Sequence, residues 1–129
     1  LPIIHHPAYS GGFVSPGVSG IADYLQLGLL PRIFGADMPI FVSYGGRFTF
    51  TEDQCKRISS YIKHPFGLMK AACPAPGGGV TDARLNELVD LYGNDTMFLV
   101  GGDMFRRGPD IEANMAYFVE RLNTLSTNN

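Results

Sequence analysis

The chain has 129 residues, 45% hydrophobic and 17% charged, a composition that suits one folded core and excludes a disordered or fibrous chain. Its formal net charge of −2, with no block of like charges, gives no counter-ion hold on nucleic acid or an anionic membrane. The longest apolar runs fall far short of the roughly 18 residues that cross a bilayer, and no signal segment opens the chain, so a cytoplasmic location is expected.

Leu1-Pro2-Ile3-Ile4 runs straight into His5-His6-Pro7 and reads as the end of a strand whose upstream context is missing. Ala8 to Gly17, with Ser10-Gly11-Gly12 and Ser15-Pro16-Gly17, is a loop of turn formers. Ile21, Tyr24, Leu25, Gly28 and Leu29 recur at helical spacing, Pro31 disturbs that helix and Gly35 closes it. Met38 to Tyr44 is apolar without helical period and reads as a buried strand ending in Gly45-Gly46-Arg47. Thr51 and Gln54 have the capping-box spacing, and Cys55, Ile58 and Ile62 supply the apolar stripe of a helix that stops before His64-Pro65. His64 is read as a helix-end or solvated residue.

Leu68 to Cys73 is the third strand expected, and Thr81-Asp82 the cap of a helix with Leu85, Leu88, Val89 and Tyr92 on one side and Gly93-Asn94 as its stop. Met97 to Val100 is the fourth strand. Gly108-Pro109-Asp110 starts a last helix whose expected face is Ile111, Met115, Phe118, Val119 and Leu122, and Ser126 to Asn129 is a frayed tail. Cys55 and Cys73 fall in separate elements without metal-ligand spacing and are expected to be reduced, buried thiols.

Strands alternating with helices at intervals of about 30 residues are the pattern of βαβ units and a parallel sheet. About four such units in 129 residues make a half barrel, since a (β/α)8 barrel has eight in about 250. A small doubly wound sheet is the rival, but its Gly-x-Gly-x-x-Gly turn is absent. Two glycine runs, Gly77-Gly78-Gly79 and Gly101-Gly102, each follow a short apolar run and precede a helical pattern. Free amides at such turns bind anions, and paired turns on consecutive barrel strands hold phosphate. The competing reading is that these glycines only make tight turns and caps.

His6-Pro7-Ala8, Gly35-Ala36-Asp37 leading to Ser43-Tyr44-Gly45-Gly46, Pro76-Gly77-Gly78-Gly79, and Gly101-Gly102 with Gly108-Pro109 together resemble the C-terminal part of the ribulose-bisphosphate carboxylase large-subunit family, and within it the RuBisCO-like proteins (form IV). The resemblance covers nearly the whole chain. It implies an α/β fold in which residues 1–129 are a single segment, the C-terminal half of a (β/α)8 barrel, and it implies that Gly78, Gly79, Gly101 and Gly102 offer backbone donors to one substrate phosphate. It also implies that the intact parent enolises or isomerises a phosphorylated ketose or methylthio-sugar phosphate. Mg²⁺ would be held in that parent by a carbamylated lysine, an aspartate and a glutamate on strand two, none of which lies in this chain. True carboxylases of the family carry a serine where this chain has Gly77 and a lysine in the strand-six loop, where this chain reads Gly45-Gly46-Arg47-Phe48. Carboxylation is therefore not expected.

His6 is the candidate catalytic residue, standing at a strand end where a barrel places its working groups, and strand alternation turns one of His5 and His6 inward. Arg47 reads equally as a forked donor to an anion or as a solvated loop residue. Lys70, in a strand expected to be buried, is a further possible substrate contact. Arg106-Arg107 are read as a solvated face and Asp103 as the cap of a short helix. Without the strand-two metal site the isolated chain is expected to be inactive. The alternative reading is a non-catalytic half barrel that pairs with itself or with a complementary half, because an open half barrel exposes sheet edges and an apolar face.

Overall fold

A computed structural model describes residues 1–14 and 20–127, so the expected turn at Ser15-Pro16-Gly17 and the last two tail residues lie outside the described residues. Three short strands, β1 (Ile4–His5), β2 (Met38–Val42) and β3 (Ala75–Gly77), form a parallel sheet in the order β1-β2-β3. Ile4 pairs with Met38 and His5 with Pro39, while Ile40, Phe41 and Val42 pair with Ala75, Pro76 and Gly77.

The third strand is displaced from its expected place at Leu68 to Cys73. Phe66 and Met69 close a small antiparallel turn around Gly67, which leaves Leu68 fully exposed (105%) and Lys70 exposed as well. The strand lies instead in a segment whose prolines argue against one. Pro74 and Pro76 turn their carbonyls toward the fourth segment, accepting from Met97 at 2.9 Å and Leu99 at 3.1 Å. Having no N–H, they return no bond on that side. The ladder is therefore one-sided, and the expected strand at Met97 to Val100 is reduced to a single bridge between Gly77 and Leu99.

Helices cover the face that bears Pro39 and Phe41. A π-helical turn (Tyr24–Leu29) runs into α2 (Leu30–Ile33), after the short α1 (Gly11–Val14). Gly28 is buried as expected, but the wider turn buries Leu27 beside it, and Ile21 is left exposed. α3 (Glu52–Lys63) starts with the capping box read from the sequence: Gln54 N–H donates to Thr51 Oγ1 at 3.2 Å, and Thr51 N–H to Gln54 Oε1 at 2.9 Å. It buries Cys55, Ile58 and Ile62. These pack with Leu27, Phe41, Leu85, Leu88, Tyr92 and Phe118 into the core, where Phe41 meets the edge of Tyr92 at 5.7 Å. Cys73 is only half-buried.

A 3₁₀ turn (Asp82–Arg84) leads into α4 (Leu85–Tyr92), and α5 (Gly102–Arg106) and α6 (Ile111–Ser126) complete the chain. α6 continues through Ser126, where a frayed tail was expected. Its buried residues are Asn114 and Phe118. The Asn114 amide donates to the carbonyls of Met104 at 2.9 Å and Gly108 at 3.0 Å, and this anchor turns the helix so that Ile111, Met115 and Val119 stand 41%, 48% and 50% exposed. Among the described residues no helix is long and apolar enough to cross a membrane.

Candidate functional site

The segments that follow the strands converge on one cleft of about 750 Å³. His6 and Pro7 follow β1, Arg47 and Phe48 follow β2, Gly78 to Thr81 follow β3, and Gly101 to Asp103 follow the Leu99 bridge; all line it. Ile40 and Val42, on the sheet face away from the core, form part of its wall.

The two glycine turns face this cleft together. Gly78 and Gly79 have φ of +78° and +70°, and a Cβ at Gly79 would stand 2.8 Å from the Gly46 nitrogen, so only glycine fits there. Among the described residues the N–H groups of Gly79 and Gly101 donate to no group of the chain, while the parallel bridge between Gly77 and Leu99 turns that of Gly78 toward the Leu99 carbonyl. The N–H of Gly102 opens α5, where the first amides have no acceptor within the helix. These donors suit an anion. Gly101 has φ −113° and open space around its Cβ position.

His6 is exposed and lines the cleft; His5 does not. The Nδ1 of His5 is buried without a hydrogen-bond partner, and burial, then the neighbouring His6, hold its imidazole below the ordinary histidine range. Arg47 lines the cleft with its guanidinium 4.9 Å from the Phe48 ring centre. Lys70 does not reach the cleft; its carbonyl accepts from the buried Arg32 at 2.8 Å.

Asp103 and Arg106 line the cleft, although neither was expected there as a site residue. The Asp103 carboxylate accepts from the N–H of Asp82 at 2.9 Å and lies 3.6 Å from Arg106; it stands inside α5, whose N-cap is Gly101, so it caps not the helix it was expected to start but the 3₁₀ turn beyond the other glycine run. Thr81, expected to cap there, makes no such bond with its side chain. Asp82 turns its own carboxylate to Tyr117 (2.7 Å), Arg121 (3.3 Å) and Arg107 (3.7 Å). The Tyr117 hydroxyl and then Arg121 hold it below the usual carboxylate range.

Arg84 escaped the sequence reading altogether. Its Nη1 donates to the carbonyls of Tyr44 at 2.8 Å and Gly79 at 3.0 Å, and Nη2 donates to Glu87 at 2.8 Å. Its charge stands 4.5 Å over the Tyr44 ring. The Tyr44 hydroxyl donates to Glu87, and burial followed by that carboxylate raises the phenol to about 12. An arginine one position before an apolar helix carries no signal of partners 40 residues away.

Among the described residues no group of three or more His, Cys, Asp or Glu side chains is placed to hold a metal ion.

No family model matches the chain. It is 36% identical over 103 residues to the 5-methylthioribulose-1-phosphate isomerase of Rhodospirillum rubrum, covering 80% of this chain and 28% of that protein. It is 33% identical over 102 residues to the 2,3-diketo-5-methylthiopentyl-1-phosphate enolase of Exiguobacterium sibiricum, covering 79% of this chain and 26% of that one. The crystal structure of a RuBisCO-like protein from Rhodopseudomonas palustris superposes with a TM-score of 0.79 at 34% identity, covering 95% of this chain and 31% of the other. The chain thus spans less than a third of the length of each of these three.

Proposed function

This chain belongs to the family of RuBisCO-like proteins, as a segment of less than a third of their length, and from that premise we propose that it is the C-terminal half of a (β/α)8 barrel that grips the phosphate of a sugar-phosphate substrate. The intact parent would enolise or isomerise a phosphorylated ketose of the methylthio-sugar class, the chemistry named for the two relatives above.

One observation carries this reading: Gly78, Gly79, Gly101 and Gly102 meet His6 and Arg47 in a single cleft. The four amides hold the anion, Arg47 adds a positive charge at the rim, and His6 exchanges a proton with a substrate hydroxyl or carbon. Hydrogen bonds to a phosphate are alike in substrate and transition state, so this grip favours binding rather than the chemical step. Mg²⁺ in the parent would polarise the carbonyl. On this reading its ligands would be the carbamylated lysine, aspartate and glutamate that the resemblance implies on strand two of the parent.

Titration with inorganic phosphate, followed by amide NMR, tests the assignment. Shifts are expected at Gly78, Gly79, Gly101 and Gly102; shifts elsewhere that spare all four would sink it.

A second reading rests on a different observation. Ile111, Met115 and Val119 form an exposed apolar stripe along α6, and among the described residues β1 has a strand partner on one side only. Such surfaces favour pairing with a second copy or a complementary half. Light scattering would then give a mass that rises with concentration, and a monomer mass at every concentration would exclude self-pairing. A carboxylase reading has less support, since no lysine is among the described residues that line the cleft.

A further inference from the structure

Arg84 lies behind the glycine turn rather than in the cleft, and one nitrogen of its guanidinium serves two loops. Nη1 binds the carbonyl of Tyr44, in the turn after β2, and the carbonyl of Gly79, in the turn after β3. The other side of the fork is fixed by Glu87, which accepts from Nη2 at 2.8 Å and from Nε at 3.4 Å. Glu87 is itself held by the Tyr44 hydroxyl, and the Tyr44 ring lies under the guanidinium. The group is thus restrained on three sides, with its side chain only 20% exposed.

Space for it exists because residue 45 is glycine. A Cβ there would stand 2.6 Å from Nη1, and the backbone of Gly45 has φ of +73°. A trans peptide sets its C=O and N–H on opposite sides. Holding the carbonyls of Tyr44 and Gly79 toward Arg84 therefore turns the N–H groups of Gly45 and Val80 away from it. The same clasp brings the two loops into backbone contact, with the Gly79 nitrogen 3.1 Å from a Cβ position built on Gly46.

We propose that Arg84 is the positioning residue of this site, joining the turn after β2 to the glycine turn after β3 and, by holding the Gly79 carbonyl, fixing the turn whose Gly78 and Gly79 amides receive the phosphate. The proposal rests on the phosphate reading above. It requires the planar fork, since an ammonium is a point donor that cannot bridge two carbonyls while holding Glu87 through two bonds.

The test compares the full chain with Arg84→Lys and Arg84→Gln, using inorganic phosphate as the probe and two NMR readouts: amide shifts on titration, and the NOE between Gly46 and Gly79. In the parent chain the NOE and the shifts at all four glycines are expected. Both variants are expected to lose the NOE and to bind phosphate about tenfold more weakly, with the rest of the spectrum retained. Full recovery of affinity in Arg84→Lys would mean that only the charge matters and would overturn the proposal. So would an unchanged NOE in either folded variant. If Arg84→Gln does not fold, Arg84→Lys alone decides on the same two readouts. If the parent chain shows no shift at the glycines, the phosphate reading falls separately, and the NOE in the variants still decides whether Arg84 joins the loops.

Discussion

The carboxylate of Asp103 accepts a hydrogen bond from the backbone N–H of Asp82 at 2.9 Å, tying the segment after the second glycine turn to the segment after the first. A carboxylate beside an incoming phosphate would repel it, but this one is directed at a backbone donor and lies near Arg106.

Replacing this acceptor should loosen the pair of turns. Asp103→Ala removes a cap and is expected to cost about 1 kcal/mol of stability, together with a several-fold loss of phosphate affinity. Asp103→Asn keeps an acceptor oxygen and should cost about half as much or less. Urea unfolding and phosphate titration of both variants check the order.

The network around Asp82 makes stability depend on acid pH. Its carboxyl titrates below the ordinary value in the folded chain, because Tyr117 and Arg121 bind the charged form. In the window between the two pKa values the unfolded chain binds more protons, so stability rises with pH there. The contribution is complete above about pH 4 and is lost as the pH falls through the depressed value. Thermal unfolding across that range should show a shallower acid slope for Asp82→Asn than for the parent.

The two glycine turns should respond differently to a methyl group. Gly79 combines φ of +70° with a Cβ position 2.8 Å from the Gly46 nitrogen, so Gly79→Ala is expected to destabilise by about 1–3 kcal/mol. Gly101 has φ −113° and nothing within 4 Å of its Cβ position. With no left-handed backbone and no crowded Cβ position at Gly101, Gly101→Ala should destabilise less than Gly79→Ala. Phosphate affinity should fall in both, since either methyl stands beside an amide donor, and a parallel urea series and titration separate the two effects.

Activity of the chain alone should be absent. The proposed glycine grip would hold substrate and transition state nearly equally and so leave the barrier in place. Incubation of a phosphorylated ketose with this chain and Mg²⁺ in deuterated water should give no deuterium next to the carbonyl beyond a no-protein control. Incorporation above that control would place a working base and metal site within these residues.

What the sequence disclosed was mainly local. The capping box at Thr51 and the stripe of Cys55, Ile58 and Ile62 are set by spacing within one helix, and all appear as read. The glycine turns were also legible, because glycine after an apolar run marks a turn wherever it falls. The third strand was not. Leu68 to Cys73 looked apolar enough, whereas Ala75 and Pro76 looked like punctuation, and only the direction in which the prolines face makes a strand possible there. On α6 Phe118 is buried as read, but Ile111, Met115 and Val119 are not, because Asn114, a polar residue, is the anchor. Lys70 fell with the strand that was meant to bury it. Arg84 and the tie from Asp103 to Asp82 depend on pairs separated by 40 and 21 residues, and one-dimensional spacing carries no trace of either.

Those separations also bear on whether the glycine motif can be transplanted. A peptide of residues 74–84 would contain Gly78, Gly79 and Arg84 but neither Tyr44 nor Asp103, the groups that orient them. Grafted onto another scaffold, the same eleven residues would be a flexible loop with the right letters and no fixed amide direction. On the proposed reading, recognition would depend on the turns after β2, β3 and the Leu99 bridge acting together, and a host protein would have to supply all three.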